Sequence, residues 1–330
     1  MTPPDSAGPS GSPWSDLGRP PLNAAALRRA LVRPDALWTS IDVVPVTGST
    51  NTDLATLAGE GAGLAPGAVL VAEEQSAGRG RLDRRWSAPA RSGIFFSVYL
   101  EPGDEVPMER WGWLPLLAGV ATATALSRAA GVDMALKWPN DLLVTVPEDA
   151  DGSAGRSAGP AVGDSGGSGD FGDSGGPGGS RRGTAVSAER KTGGILAERA
   201  GAGVVLGIGL NVSLRADELP VPTAGSLLLA GAPVVDRDPL LRAVLRSLEE
   251  WYGQWRATGG DPGACRLQEA YTAGCATLGR TVRAELPGDR ALVGEAVAID
   301  GDGRLVLATA EGVQEPVGAG DIVHLRPAEG

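Results

Sequence analysis

Four arginines crowd one glycine-bearing stretch, SAGRGRLDRRW (76–86), and apolar runs bracket it, AVLVAEEQ (68–75) before and GIFFSVYL (93–100) after. Runs of β-branched and aromatic residues of that length predict strands. The arginines Arg79, Arg81, Arg84 and Arg85 therefore sit in a loop at a sheet margin, joining two ordered elements. Gly78 and Gly80 permit close approach of backbone to a ligand, and arginine forks match phosphate or carboxylate oxygens. The chain as a whole has a formal net charge of -11, so this concentration of positive charge points to a local anion site. Ordering about eight such residues costs roughly 1–2 kcal/mol each in backbone entropy, so the loop is expected to be mobile without an anion. A solvated basic turn or a nucleic-acid patch fits the same stretch.

The rest of the composition narrows the choice. With 40 Asp and Glu against 29 Lys and Arg, broad nucleic-acid affinity is disfavoured, because such binding neutralises many phosphates. His324 is the single histidine, and Cys265 and Cys275 are the only cysteines, with no CxxC pair. A His-rich metal site and a Ser-His-Asp triad are thereby disfavoured, and the thiols are expected to be reduced and structural. No basic start followed by an apolar core marks a signal peptide, and the apolar region 111–126 contains Pro115 and is too short for a membrane span. A cytoplasmic protein is expected. At 330 residues the length allows two domains.

In chain order, residues 1–22 are rich in Pro, Gly and Ser and are expected to be a disordered tail. A short amphipathic helix (23–33) and a stretch containing an alternating apolar strand (37–48) precede GSTNTDL, where Ser49, Thr50 and Asn51 occupy helix-cap positions. They serve as a cap alone, or as polar groups for a small polar ring. Residues 111–131 predict the main helix, with Gly131 as its stop. ALKWPNDLLVTV then sets Lys137 beside a turn, either as a snorkelling surface residue or as a functional cation. Residues 147–190 form a Gly/Ser/Asp tract, assigned as a disordered insertion whose flanking strands pair as one hairpin. Two apolar strands follow, ending at GIGLNV, where Gly207 and Gly209 suggest close approach to a ligand. No GxxxxGK[ST] loop is present, and the glycines do not open a helix as a dinucleotide fingerprint requires. An amphipathic helix (238–255) and a small all-β barrel (278–325) complete the chain.

Taken together and in order, GSTNTD, EEQSAGRGRLDRRW, KWPNDLLV, KTGGILAE and GIGLNV resemble the catalytic domain of biotin protein ligases, from about Ile41 to the chain end. The resemblance implies an α+β fold: a mixed-sheet biotin/lipoate ligase domain, class II aminoacyl-tRNA synthetase-like, at 23–275, followed by an SH3-like β domain at 276–330. It implies that biotin and MgATP give biotinyl-5′-AMP and pyrophosphate, and that biotin then passes to a lysine of a biotin carboxyl carrier domain of an acyl-CoA or pyruvate carboxylase. By the same resemblance Ser49, Thr50, Asn51, Gln75, Gly194 and Gly209 would contact biotin, and Arg79, Gly80 and Arg81 would close over it. Lys137 would bridge the carboxylate and α-phosphate. Trp86, Gly207 and Asn211, with Arg79, Arg81 and Lys137, would form the adenylate end. Lys137, Arg79 and Arg81 are the expected catalytic residues, and magnesium is expected to come with ATP rather than from a protein site.

This agrees with the residues' own chemistry. A carboxylate attacking a phosphate brings anions together, which fixed cations relieve, and no general base is needed because the carboxylate is already ionised at neutral pH. Two departures stand out: Asp83 where many relatives carry glycine, and the long 147–190 tract where a short connection is usual. No N-terminal winged helix is seen, so operator binding is not expected. The alternatives are a lipoate or octanoate ligase on the same fold and a biotin-responsive regulator without catalysis.

Overall fold

The computed structural model describes residues 18–59, 63–82, 84–147, 187–286, 290–318 and 321–324. Seven strands form a mixed sheet in the order β1-β2-β5-β9-β8-β7-β6. Its strands are β1 (Ser40–Val44), β2 (Ala68–Ala72), β5 (Gly93–Leu100), β6 (Met134–Lys137), β7 (Asp141–Pro147), β8 (Ser187–Ala200) and β9 (Gly203–Asn211). Only the β1-β2 pair is parallel. The predicted strands around the arginine loop are β2 and β5, direct neighbours in this sheet. Their loop carries a feature too short for sequence periodicity, a ribbon of β3 (Gly78–Arg79) and β4 (Arg85–Trp86).

Helices cover one face. In α1 (Ala24–Leu31) the Asn23 side chain caps the first turn, accepting from Ala26 N at 3.0 Å, and Leu27 and Leu31 are buried at helical spacing. α3 (Leu114–Ala130) starts with a proline in its first turn and stops at Gly131, whose φ of 66° suits glycine. α4 (Arg237–Ala257) buries Leu240, Leu241, Val244, Leu245, Leu248, Tyr252 and Trp255, each burial contributing about 1.5–3 kcal/mol before entropy is counted. α5 (Leu267–Gly274), which sequence reading left out, packs on α3. The opposite face is covered differently: among the described residues α2 (Thr50–Gly59) is the one α-helix that lies there, with Leu54 against Tyr99 and Val205. The uncovered remainder of that face is where the cavities lie.

A second, antiparallel sheet follows, ordered β13-β12-β11-β10-β14, with β10 (Thr281–Leu286), β11 (Arg290–Ile299), β12 (Leu305–Ala308), β13 (Gln314–Val317) and β14 (Asp321–His324). Two tryptophans tie it to the first unit: Trp113 Nε1 donates to the Gly301 carbonyl and Trp138 Nε1 to the Gly303 carbonyl, both at 2.9 Å.

Two expectations need correction. Arg19 and Leu22, assigned to the tail, are packed: each is 8% exposed and hydrogen-bonded across the chain. The ends of the 147–190 tract are strand, with Pro147 paired to Ser187 and Val144 to Arg190, because the pairing of β7 with β8 extends beyond the apolar residues that reveal it. The rest of that tract, and Asp83, fall outside the described residues.

Candidate functional site

Strand alternation points Val205, Gly207, Gly209 and Asn211 of β9 toward the face that carries α2. Register sets Ser97 and Leu196 on either side of Gly207, and Phe95 and Gly194 on either side of Gly209. The glycines make room. A methyl on Gly207 would stand 1.9 Å from Asn51 Oδ1, and one on Gly209 would stand 3.1 Å from the Trp86 ring. Trp86 therefore lies over a floor of two paired glycines, Gly194 and Gly209; a methyl on Gly209 would press on the ring, and one on Gly194 would just touch it at 3.4 Å.

Around Gly207 a chain of hydrogen bonds fixes the polar groups. Gln75 Oε1 accepts from Thr50 N at 2.9 Å, Thr50 Oγ1 and Ser97 Oγ are 2.7 Å apart, and Ser97 Oγ donates to Asn51 Oδ1 at 2.6 Å. Asn51 Nδ2 in turn donates to Glu198 at 3.0 Å, and Glu198 holds Arg79 at 3.0 Å. These residues enclose a small cavity of about 30 Å³, lined by Ser49, Thr50, Asn51, Gln75, Arg79, Trp86, Gly194, Gly207 and Gly209. Thr50 and Asn51 belong to the first turn of α2, and Ser49 accepts at the cap through its carbonyl.

A larger cavity of about 480 Å³ adjoins it, sharing Arg79, Trp86 and Leu196. Arg79, Arg81, Arg84, Arg85 and Lys191 give it a cationic wall around Gly80, and among the described residues Asp141 is its one acidic side chain. Lys191 Nζ is 2.6 Å from Asp141 Oδ1 and 5.9 Å from the Trp86 ring centroid. Burial lowers the Arg81 pKa against the pull of Asp141. At the far end, Asn211 Nδ2 donates to the Gly225 carbonyl at 3.0 Å, while its Oδ1 and the Trp86 Nε1 are buried without a partner among the described residues. Buried polar atoms of that kind cost about 1–3 kcal/mol unless something completes them.

The structure thus brings together every expected residue except one. Lys137 pairs with Asp141 across the β6-β7 turn, but it lines neither cavity. Burial lowers its pKa, Asp141 opposes this, and Lys191, Arg84 and Arg280 add to the lowering. Gly207, expected at the adenylate end, lines the small cavity with Thr50 and Asn51 instead. Lys191 was missed. The signal available was its place in KTGG, next to the glycine pair that lets Trp86 settle. Among the described residues no group of three or more His, Cys, Asp or Glu is placed to hold a metal ion, and no helix is long and apolar enough to cross a membrane.

A seven-stranded mixed sheet thus carries two adjoining cavities over a glycine floor, one lined by neutral polar groups and the other by cations, with an antiparallel sheet appended. Comparison with known proteins supplies the family. Residues 43–213 match the model of the biotin/lipoate A/B protein ligase family, and residues 277–325 match the biotin protein ligase C terminal domain. The chain is 40% identical over 314 residues to a biotin--[acetyl-CoA-carboxylase] ligase of Mycobacterium tuberculosis, covering 94% of this chain and 98% of that one. It is 29% identical to the bifunctional ligase/repressor BirA of Bacillus spizizenii, over 76% of this chain and 64% of the relative. The biotin protein ligase of Aquifex aeolicus, solved with biotin and ATP, superposes with a TM-score of 0.61 at 23% identity, covering 88% of this chain and all of that chain. The chain belongs to the biotin/lipoate A/B protein ligase family.

Proposed function

We propose that the polar residues around the small cavity contact the ring system of biotin and the large cavity takes ATP, and that the chain joins them as biotinyl-5′-AMP before passing biotin to a lysine of a biotin carboxyl carrier domain. The observation that carries this reading is the junction of the two cavities at Arg79 and Trp86. A chain of neutral donors and acceptors on one side suits a small polar ring, and a row of cations on the other suits phosphates. The 40% identity to the mycobacterial ligase supports biotin over lipoate.

In the first step a biotin carboxylate oxygen attacks the α-phosphorus, the bond to the β-phosphate oxygen breaks and pyrophosphate leaves. Arg79, Arg81 and Lys191 are placed to hold the two anions together and to neutralise the charge gathering on the phosphate oxygens. Lys137 acts from the second row, in the field of the same groups. Magnesium accompanies the triphosphate. In the second step the acceptor amine attacks the acyl carbon and AMP leaves. Between steps the arginine loop shields the mixed anhydride from water. Asn211, with an unpaired acceptor at the end of the large cavity, suits an exocyclic amino group of the base. The acidic balance argues against DNA as a partner.

The test is biotin-dependent exchange of pyrophosphate into ATP, with lipoate and octanoate in parallel. Exchange with biotin alone is expected; exchange with lipoate or octanoate in its place would move the assignment to the sister activity, and no exchange with any acid would defeat it.

A further inference from the structure

The residues before the first helix reach the segment that leads into the far wall of the large cavity. Arg19 Nε donates to Ser213 Oγ at 3.1 Å, one terminal nitrogen donates to the Ser213 carbonyl at 2.8 Å, and both terminal nitrogens grip the Glu218 carboxylate. Glu218 also accepts from Arg215 N at 2.9 Å, closing the short 3-10 turn Ala216–Glu218. That turn leads directly into Pro220, Val221, Thr223 and Ala224, which line the cavity. The end of this wall is pinned to β8, where Lys191 N donates to the Thr223 carbonyl at 2.9 Å and Gly225 N to the Lys191 carbonyl at 2.8 Å. Its beginning is pinned by Arg19.

A second anchor lies three residues on. Leu22 N donates to Glu73 Oε1 at 2.6 Å, and the buried Arg237 bridges Glu73 Oε2 at 2.6 Å and the Pro20 carbonyl at 2.5 Å. Glu73 directly follows β2, at the root of the arginine loop. Residues 19–22 thus tie together the roots of the two segments that flank the cavity.

We propose that residues 19–22 are a clasp and that Arg19 is a positioning residue for the nucleotide end of the site, an inference that rests on ATP occupying the large cavity. Arg19 touches no cavity-lining residue, so its effect runs through the geometry of residues 213–224. Losing its fork would leave Glu218 with the Arg215 amide alone and Ser213 with Ser92 alone, and the wall would have to be ordered by the nucleotide itself. A lysine offers one point charge in place of three directed donors and does not substitute.

The experiment uses the full chain with Arg19→Ala and Arg19→Lys, and two shortened chains lacking residues 1–17 or 1–22. Both substitutions are expected to raise KM for ATP about tenfold while KM for biotin and kcat stay within about twofold. Removing residues 1–17 leaves every contact above in place and should change neither constant, whereas removing 1–22 should reproduce the loss. Amide hydrogen exchange without substrate should quicken at residues 213–224 in Arg19→Ala and stay unchanged in α2. Unchanged exchange at 213–224 overturns the clasp. Faster exchange with an unchanged KM for ATP overturns its link to the nucleotide, and a parallel loss of biotin binding overturns the positioning role by showing general damage. A loss already present when only 1–17 are removed takes the role away from Arg19. Should the wild-type chain show no biotin-dependent exchange of pyrophosphate while hydrogen exchange still responds to Arg19, the assigned activity fails and the clasp stands.

Discussion

Lys191 and Asp141 are locked in an ion pair of 2.6 Å on adjacent strands, inside the wall of the larger cavity. A substrate anion that draws on the Lys191 ammonium competes with a carboxylate already present, so the cation is oriented before substrate arrives. Lys191→Ala is expected to lower kcat/KM for adenylate formation by about 10²–10³, or about 2.7–4 kcal/mol, the usual cost of removing one preorganised charge-stabilising donor. Lys137→Ala, which removes a cation set back from the cavity, is expected to fall by a smaller but still measurable factor while staying folded, read by pyrophosphate exchange and circular dichroism. Near-normal turnover in either variant removes that lysine from the reaction.

Arg79 spans both cavities and is held by Glu198. For Arg79→Ala the expected outcome is faster escape of the adenylate, seen as biotinylation of bystander proteins and a higher dissociation rate by stopped flow. An unchanged dissociation rate would contradict a retaining role.

Gly207→Ala should weaken biotin binding by roughly 10–100-fold, because the new methyl would stand 1.9 Å from Asn51 Oδ1 and break a buried hydrogen-bond chain. Gly209→Ala, where the methyl meets the edge of Trp86 at 3.1 Å, should have the smaller effect. Calorimetric titration with biotin alone compares the two.

Replacing residues 148–186 with a short turn is expected to leave adenylation intact, since Pro147 and Ser187 are already paired and the register of β7 and β8 is set along their length. A large loss of pyrophosphate exchange in the shortened chain would show that the tract contributes to the reaction.

His324 gives the protein a pH-dependent component of stability. Burial, with Lys137 and Arg280 adding to it and Glu189 opposing, lowers its pKa from 6.5 to about 4. A histidine whose pKa is depressed on folding binds more protons in the unfolded chain, so its contribution to stability is full above pH 6.5 and is lost as pH falls toward 4. The difference in thermal midpoint between wild type and His324→Asn should therefore narrow or change sign across that window. A difference independent of pH would refute the linkage.

Most of the sheet was legible because β2, β5 and β9 are apolar runs of ordinary length, and the family motifs fall at their ends. The two-residue strands of the arginine loop were not, since no period can be read from Gly78–Arg79 or Arg85–Trp86. Lys191 was hidden among the charges of ERKTGG, and its place in the cavity depends on the Gly194 and Gly209 floor that seats Trp86 next to it. Arg19 was obscured by its Pro-rich neighbours, for composition reports average hydrophobicity and says nothing of partners nearly 200 residues away, Ser213 at a separation of 194 and Glu218 at 199. Lys137 shows the converse limit: its motif was plain, but which way a residue beside a turn faces is decided by packing.

The two tryptophan bonds between the sheets run through one continuous core, in which Leu136, Trp138 and Tyr271 share a cluster with Val282, Ala284, Leu305 and Leu307. A module border near residue 276, plain as it is in the motifs, is therefore not a seam in stability. The two units should melt in a single cooperative transition, and exchanging the terminal module for a foreign one would require its partner tryptophans to be exchanged with it.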